Sequence, residues 1–267
     1  MFWDLLLLAE KVQKDEIWNI AAQLSYFLLL SFFPFMIAIV SLLEYEPAAI
    51  SLLMEQLEAI LPKVSYQLIQ ENVQVFSEWN SGMFSVGFIS ALWVATKGSK
   101  AIYRCLNQGY ESSGSRHFIA YYFISFCITV SLVLFIVLSL AVILLSNRFI
   151  VQHITNGHVT FLLSQLRIWL MFFVFVFALA VIYSRVPRIR LTFRQVLPGA
   201  VVATVLWIVC TVGFELYVNN FGNYTVVYGT LGGFVVLLLW LYLVSFSLLL
   251  GNEINAFLYQ KEQRKEM

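Results

Sequence analysis

The sequence predicts an all-α, polytopic membrane protein with six transmembrane helices and additional amphipathic helices on the outer side of the membrane. Of its 267 residues, 61% are hydrophobic and 12% are charged, whereas an ordinary soluble domain has about 25% charged residues. Apolar runs such as 118–146 and 226–250 reach the roughly 20 residues that a helix needs to cross a bilayer. Water is therefore not the main solvent of this chain.

The spans are predicted at 17–43, 79–96, 118–146, 161–183, 196–218 and 226–250, in a single membrane domain that covers 1–267. The second span is short and rich in Ser, Gly and Ala, which let helices approach closely. A re-entrant or interfacial segment is the alternative for it. Residues 1–16 are predicted to form a cytoplasmic interfacial segment, and 251–267 a cytoplasmic tail.

The long connection 44–80 is predicted to contain two outer amphipathic helices. Its apolar residues recur near helical spacing and are opposed by Glu and Gln side chains. Pro62 is expected to separate the two helices, because proline lacks a backbone N–H. The helices either lie on the outer leaflet or cap the outer mouth of the bundle.

The distribution of positive charge predicts the orientation. With six spans, thirteen of the 16 Lys and Arg residues lie on one side, only Lys63 and Arg148 lie on the other, and Arg167 lies within a span. Positive residues in short loops stay in the cytoplasm. Both termini are therefore predicted to be cytoplasmic, and removing the second span would destroy this asymmetry.

Several functional classes are not supported by the sequence. A net charge of +1 does not favour nucleic acid as a partner. The three cysteines and three histidines lack metal-ligand spacing, and no zinc-protease, serine-hydrolase, P-loop or CxxC motif is present. We therefore expect no metal, no cofactor and no enzymatic activity.

Ionisable residues inside spans are costly unless they are paired or hydrated, so they are candidates for function. Arg167 and Glu215 are predicted at similar depths, roughly 5 to 10 Å below the outer surface, where they could pair. The alternatives are a polar site near the outer leaflet, a structural pair, or snorkelling to the headgroups.

The first span is unusually polar for a membrane helix. Tyr26, Ser31 and Pro34 lie on it, and Ser31 is expected to bond a carbonyl that Pro34 leaves free. Such a helix suits the wall of a cavity, or hydrogen bonding between helices without a pathway.

Two further groups of polar residues lie at the ends of the later spans. Asn219 and Tyr228 belong to a stretch at the outer end that could bind a polar headgroup or form a tight turn. At the inner end, Glu253 is expected to pair with an arginine of the preceding basic loop. That loop is a candidate contact for anionic lipid headgroups and contains Arg185, Arg188, Arg190 and Arg194.

Several stretches resemble the YihY/BrkB family of bacterial inner-membrane proteins, once labelled ribonuclease BN. The resemblance covers nearly the whole chain and rests on 21–26 with 31–34, on Val186-Pro187-Arg188 with Pro198-Gly199-Ala200, and on 228–240 with 251–256. It implies a six-helix protein of the bacterial inner membrane. It implies no defined activity, although transport of a lipid or small solute has been suspected for the family.

The leading functional hypothesis is a transporter or translocation factor of the bacterial cytoplasmic membrane whose cargo is a lipid or small solute. The alternative is a non-transporting scaffold or envelope assembly partner, and a membrane-embedded enzyme ranks third. Membrane lipids are the expected partners, together with a second copy of the chain or other membrane proteins.

Overall fold

The structure is a computed structural model that describes residues 2–43, 50–51, 54–55, 57–58, 61–77, 86, 89–90, 93–94, 97, 102–110, 157–189, 191–221 and 231–266. Six helices have both ends within this part of the chain: α1 (Phe2–Lys14), α2 (Ile17–Leu43), α3 (Lys63–Ser77), α4 (Gly157–Arg185), α5 (Phe193–Phe221) and α6 (Gly232–Glu266). A further helical segment covers 102–108 and ends in a turn at 109–110. The described residues contain no β-strand, which agrees with the predicted all-α class.

Three of the described helices contain segments that are long and apolar enough to cross a membrane. They are Ile17–Pro34 in α2, Phe193–Val218 in α5 and Gly232–Arg264 in α6, and α4 contributes the shorter apolar stretch Phe172–Arg185. The predicted span 118–146 lies outside the described residues, as does most of 79–96. The structure thus supports a helical membrane protein, and the number of six spans stays a prediction.

Large apolar side chains are exposed along the outer faces of α4 and α5. Phe173, Phe177, Val209 and Leu216 each expose about six tenths of their surface, between 59% and 62%. Water-soluble proteins rarely expose contiguous apolar surface of this kind. These faces are therefore suited to contact lipid tails.

α1 ends in a left-handed turn that leads into α2. Asp4 lies in its first turn, and Lys11 and Lys14 lie in its last turn, where each charge complements the helix dipole. Glu16 adopts a positive φ of 52°, the conformation that commonly ends helices. The Glu16 carbonyl then accepts hydrogen bonds from the backbone N–H groups of Asn19 and Ile20, which starts α2.

α2 contains Pro34 inside the helix, as the sequence predicts. The expected role of Ser31 is wrong, because its hydroxyl donates to the carbonyl of Leu28 at 3.0 Å. The carbonyl that Pro34 leaves free is that of Leu30, four residues before the proline. A serine hydroxyl in a helix reaches back three or four residues, so Ser31 does not serve the neighbouring Leu30.

α3 begins at Lys63, directly after Pro62, where the sequence predicts a break. Its buried residues Ile69 and Val73 pack in one cluster with Met36 of α2 and with Leu237 of α6. α3 therefore packs against α2 and α6 at one end of the bundle, and its position relative to the membrane stays a prediction.

α6 is the central helix, and it contacts α1, α2, α3 and α5. Its 35 residues extend about 50 Å at 1.5 Å per residue, which exceeds the roughly 30 Å thickness of the hydrocarbon core. Residues 251–266, which the sequence predicts as a tail, continue this helix. No proline interrupts them, and Gly251 is buried in a contact between helices that compensates for its low helix propensity.

Candidate functional site: a buried polar cluster at one end of the bundle

Both ends of the described chain and the connection between α4 and α5 lie at the same end of the bundle. Lys261 of α6 donates to Asp4 of α1 at 2.6 Å. Gln195, near the start of α5, donates to Glu262 of α6 at 3.5 Å. This arrangement agrees with the topology predicted from charge, in which these segments share one side of the membrane.

Lys11 is at the centre of a cluster of buried polar groups at this end. Its ammonium nitrogen Nζ donates to Oδ2 of Asp15 at 3.0 Å and to the carbonyl oxygen of Gly109 at 2.7 Å. The same nitrogen lies 3.3 Å from Oε2 of Glu253, as an ion pair. Lys11 therefore connects α1 to α6 and to the turn that follows 102–108. We call Lys11, Asp15, Asn252, Glu253 and the Gly109 carbonyl the buried polar cluster.

Burial is most complete on the α6 side of the buried polar cluster. The side chains of Glu253 and Asn252 are fully buried, and that of Lys11 is 11% exposed. Both carboxylate oxygens of Glu253 and both polar atoms of the Asn252 amide lack a hydrogen-bond partner. An unsatisfied buried polar group costs about 1–3 kcal/mol. The burial of Glu253 and Asn252 is therefore not compensated by hydrogen bonds.

Because Gly109 has no side chain, the backbone of its turn lies close to Glu253 and Asn252. A Cβ atom at this position would lie 2.6 Å from Oε1 of Glu253 and 3.2 Å from Nδ2 of Asn252. Any larger residue would push the two side chains away. The carbonyl of Gly109 also accepts a hydrogen bond from Nε2 of Gln260 at 3.3 Å, so the turn is held by Lys11 of α1 and by Gln260 of α6.

Burial and the charges of the buried polar cluster shift the pKa values of Lys11, Cys105 and Tyr110. Burial lowers the pKa of Lys11, but the nearby Glu253 and Asp15 outweigh that effect and hold the pKa above its usual value. Burial, followed by the charge of Glu253, raises the pKa of the Cys105 thiol and of the Tyr110 hydroxyl. Lys11 is therefore a cation at neutral pH, while Cys105 and Tyr110 are neutral.

Next to the buried polar cluster, α5 and α6 cross with their backbones in contact. A Cβ atom at Gly199 would overlap the carbonyl oxygen of Gly251, and one at Gly251 would lie 2.6 Å from Cβ of Ala203. Asn255 fastens the crossing: its Oδ1 accepts from the N–H of Gly199 at 2.7 Å, and its Nδ2 donates to the carbonyl of Val196 at 2.9 Å. Two stretches that mark the family resemblance, 198–200 and 251–256, thus meet in the structure.

The connection after α4 is held from the other side by the 102–110 segment. The backbone N–H of Arg188 donates to Oδ1 of Asn107 at 3.0 Å, and its Nε donates to the hydroxyl of Tyr103 at 3.3 Å. Arg188 therefore has partners within the protein. The ion pair described for Glu253 is with Lys11, and Arg190, another member of the predicted basic loop, lies outside the described residues.

The other predicted site residues whose side chains are described do not join the buried polar cluster. Tyr26 is 53% exposed, and Ser31 is buried with its bond inside α2. Glu215 is half-buried on α5, and Arg185 and Arg194 are exposed at the ends of their helices. Of Arg167 and Asn219 only the helical backbone is described, and Tyr228 lies outside the described residues, so the Arg167–Glu215 pair stays a prediction.

Sequence reasoning singled out Glu253 but missed its partners Lys11 and Asp15. The available signal was their spacing of four residues, since a Lys and an Asp at this spacing lie on one helix face. Asn107 and Gly109 carry no signal that a single sequence reveals. Groups of three or more His, Cys, Asp or Glu side chains that could hold a metal ion do not occur among the described residues.

Comparison with known proteins agrees with this description. The family described as Virulence factor BrkB matches residues 8–267. A protein of Bacillus subtilis named as ribonuclease-like, YfkH, is 32% identical over 250 residues, which cover 91% of this chain and 90% of that protein. A UPF0761 membrane protein of Alteromonas mediterranea is 28% identical over 265 residues, 96% of this chain and 88% of that protein. No solved structure matches.

The family match covers the buried polar cluster and the crossing of α5 and α6, since both lie within the matched residues. The relatives named as membrane proteins agree with the apolar helices and with the exposed apolar faces. On both grounds, the chain belongs to the BrkB family of membrane proteins.

Proposed function

We propose that this protein is a multi-pass transporter or translocation factor of the bacterial cytoplasmic membrane that moves a lipid or small solute and is not an enzyme. The observation that carries the proposal is the fully buried, adjacent Asn252 and Glu253 in the longest described helix, where the Glu253 carboxylate is compensated by the Lys11 ion pair and the Asn252 amide has no hydrogen-bond partner. Ionisable groups inside membrane bundles are costly and characteristically serve ion or substrate pathways. A scaffold that only packs against neighbours has no need of such a group.

An anionic phospholipid is our first choice of cargo. The exposed arginines Arg185 and Arg194 and the exposed Lys261 lie at the same end of the bundle as the buried polar cluster. Basic residues near a membrane surface attract anionic headgroups by about 1 kcal/mol each. The apolar faces of α4 and α5 would contact the acyl chains of the same lipid.

The test uses the full chain reconstituted in liposomes that contain a fluorescent phosphatidylglycerol analogue in both leaflets. A membrane-impermeant reductant quenches the outer leaflet only, so movement between leaflets appears as loss of fluorescence beyond one half. We expect this loss with the wild-type protein and a severalfold slower loss with Glu253→Gln. The matched control is Glu262→Gln, since Glu262 is an exposed carboxylate on the same helix.

Fluorescence loss equal to that of protein-free liposomes would remove the lipid proposal. A parallel uptake assay with a panel of small anionic and zwitterionic solutes then examines solute cargo. If neither lipid nor solute moves, with or without an ion gradient, the scaffold alternative replaces transport.

We further propose that the end of the bundle that carries the buried polar cluster faces the cytoplasm. A cysteine at the exposed position Gln263, with the three natural cysteines changed to alanine, should react with an impermeant maleimide only in inverted vesicles. Reaction in intact spheroplasts would reverse the orientation and contradict the charge-based topology.

A further inference from the structure

The buried polar cluster contains more negative than positive charge. Lys11 supplies one ammonium group, and Asp15 and Glu253 supply two carboxylates. Since the neighbouring carboxylates hold the pKa of Lys11 above its usual value, the ammonium stays charged. With both carboxylates ionised, the cluster therefore carries one excess negative charge. Burial of an uncompensated charge costs several kcal/mol, and one bound proton would remove it.

The proton must go to a carboxylate, because the other titratable neighbours are already neutral. Cys105 and Tyr110 face the cluster from the 102–110 segment, and burial raises the pKa of each. Tyr259 of α6 packs its ring against that of Tyr110, with centroids 5.9 Å apart. Neither Cys105 nor Tyr110 therefore has a proton site that is empty at neutral pH.

The two carboxylates are both buried, but they differ in their hydrogen bonds. Oδ2 of Asp15 accepts a direct hydrogen bond from Lys11, and Asp15 lies in the turn between α1 and α2. Glu253 is completely buried, and its contact with Lys11 is an ion pair at 3.3 Å without hydrogen-bond geometry. A carboxylate without hydrogen bonds in a buried position is the one that gains most from a proton.

We propose that Glu253 is a buried proton-binding site whose occupancy controls the docking of α1 onto α6. Ionised, the carboxylate attracts Lys11 and holds the end of α1 against α6. A proton taken from water at the nearby bundle end neutralises Glu253 and weakens this link, while the Lys11–Asp15 contact at the end of α1 persists. This inference concerns proton binding, and it does not depend on whether a cargo is moved.

A metal cation is a poorer occupant than a proton. Lys11 Nζ already lies 3.3 Å from Oε2 of Glu253, and a second cation on the same carboxylate would be repelled by the ammonium at close range. A proton forms an O–H bond with one carboxylate oxygen and needs no further ligands. The coupling is reciprocal, since docking of Lys11 favours the ionised carboxylate and thereby the release of the proton.

The first measurement is infrared spectroscopy of the purified full chain between about pH 5 and about pH 8. We expect the carbonyl band of a buried, protonated carboxylic acid to grow as the pH falls. The band should be missing in Glu253→Gln and unchanged in Glu262→Gln, which removes an exposed carboxylate of the same helix. A titrating band that persists in Glu253→Gln would overturn the assignment.

The second measurement follows α1 directly. Gln13 of α1 and Gln263 of α6 have exposed side chains, and each is changed to a cysteine that carries a spin label. Cys127 and Cys210 are changed to alanine, and the buried Cys105 is kept. Pulsed electron spin resonance then gives the distribution of distances between the labels. We expect the population with α1 separated from α6 to rise at least about tenfold over this pH range, equivalent to one pKa unit of coupling.

Two variants make the distance measurement decisive. Glu253→Gln should show the separated population at every pH, because the glutamine imitates the protonated acid. Lys11→Gln removes the ammonium instead and should give the same pH-independent result, so the proposal stays testable if one variant fails to fold. Two results would refute the control of α1 docking by Glu253. One is a wild-type distribution that does not change with pH, and the other is a distribution that changes with pH in both variants as much as in the wild type.

Discussion

Replacement of Gly199 with alanine should separate α5 from α6 at the point where their backbones touch. The added Cβ would overlap the carbonyl oxygen of Gly251 and lie 2.5 Å from Cγ of Asn255. Neither neighbour can give way easily, since one is backbone and the other is held by two hydrogen bonds. The helices must therefore move apart.

The size of the effect follows from the steric overlap and from the two hydrogen bonds that are lost. Overpacking of a tight contact costs about 1–3 kcal/mol, and each of the two Asn255 hydrogen bonds contributes about 1 kcal/mol. We therefore expect a loss of about 3–5 kcal/mol in the free energy of unfolding. In a chain of this size, that corresponds to a decrease of about 6–20 °C in the midpoint of thermal unfolding.

Gly213 provides the matched control on the same helix. A Cβ atom there meets nothing within 4 Å, so alanine should be neutral or should stabilise the helix by about 0.5–1 kcal/mol. The assay heats each detergent-solubilised variant and measures the monodisperse fraction by size-exclusion chromatography. If Gly199→Ala survives heating as well as Gly213→Ala does, the close crossing of α5 and α6 is refuted.

Three other variants probe the same end of the bundle with the same thermal assay. Asn255→Leu should cost about 1–3 kcal/mol because it removes both hydrogen bonds from Asn255 to the α5 backbone. Gln263→Leu on the exposed side should cost little, and equal losses in the two variants would contradict the role of Asn255. Gln195→Leu should cost about 1 kcal/mol, because the Gln195 side chain accepts a hydrogen bond from the backbone N–H of Thr192 and so caps the start of α5. An unchanged midpoint of thermal unfolding would argue against this cap. Lys261→Met should leave the midpoint unchanged, because its pair with Asp4 is solvent-exposed; a clear loss would show that the pair is shielded.

Composition and local pattern were sufficient to predict the membrane class and several element boundaries. The apolar segments found in α2, α5 and α6 overlap predicted spans, and α3 starts directly after Pro62. These features depend on the residues of one segment and on the solvent around it. They can therefore be read without knowing the positions of other segments.

The role of Ser31 and the extent of α6 were harder to predict. The Ser31 prediction assumed that a nearby hydroxyl serves the carbonyl freed by Pro34, but helix geometry directs it to Leu28. Residues 251–266 belong to the predicted cytoplasmic tail 251–267, for which no secondary structure was predicted. They continue α6 because Gly251 and Asn255 are buried against α5, where their contacts compensate for their low helix propensity.

The sequence by itself determined that this chain belongs in a membrane and that Glu253 is an unusual residue at the end of an apolar helix. Only the tertiary structure decided that its partner is Lys11, 242 positions earlier in the chain, and that Gly109 makes room for both Glu253 and Asn252. The physical reason is that the preference of a segment for lipid or water is a sum over the residues of that segment alone. The partner of a buried charge depends on how helices distant in the chain pack against each other.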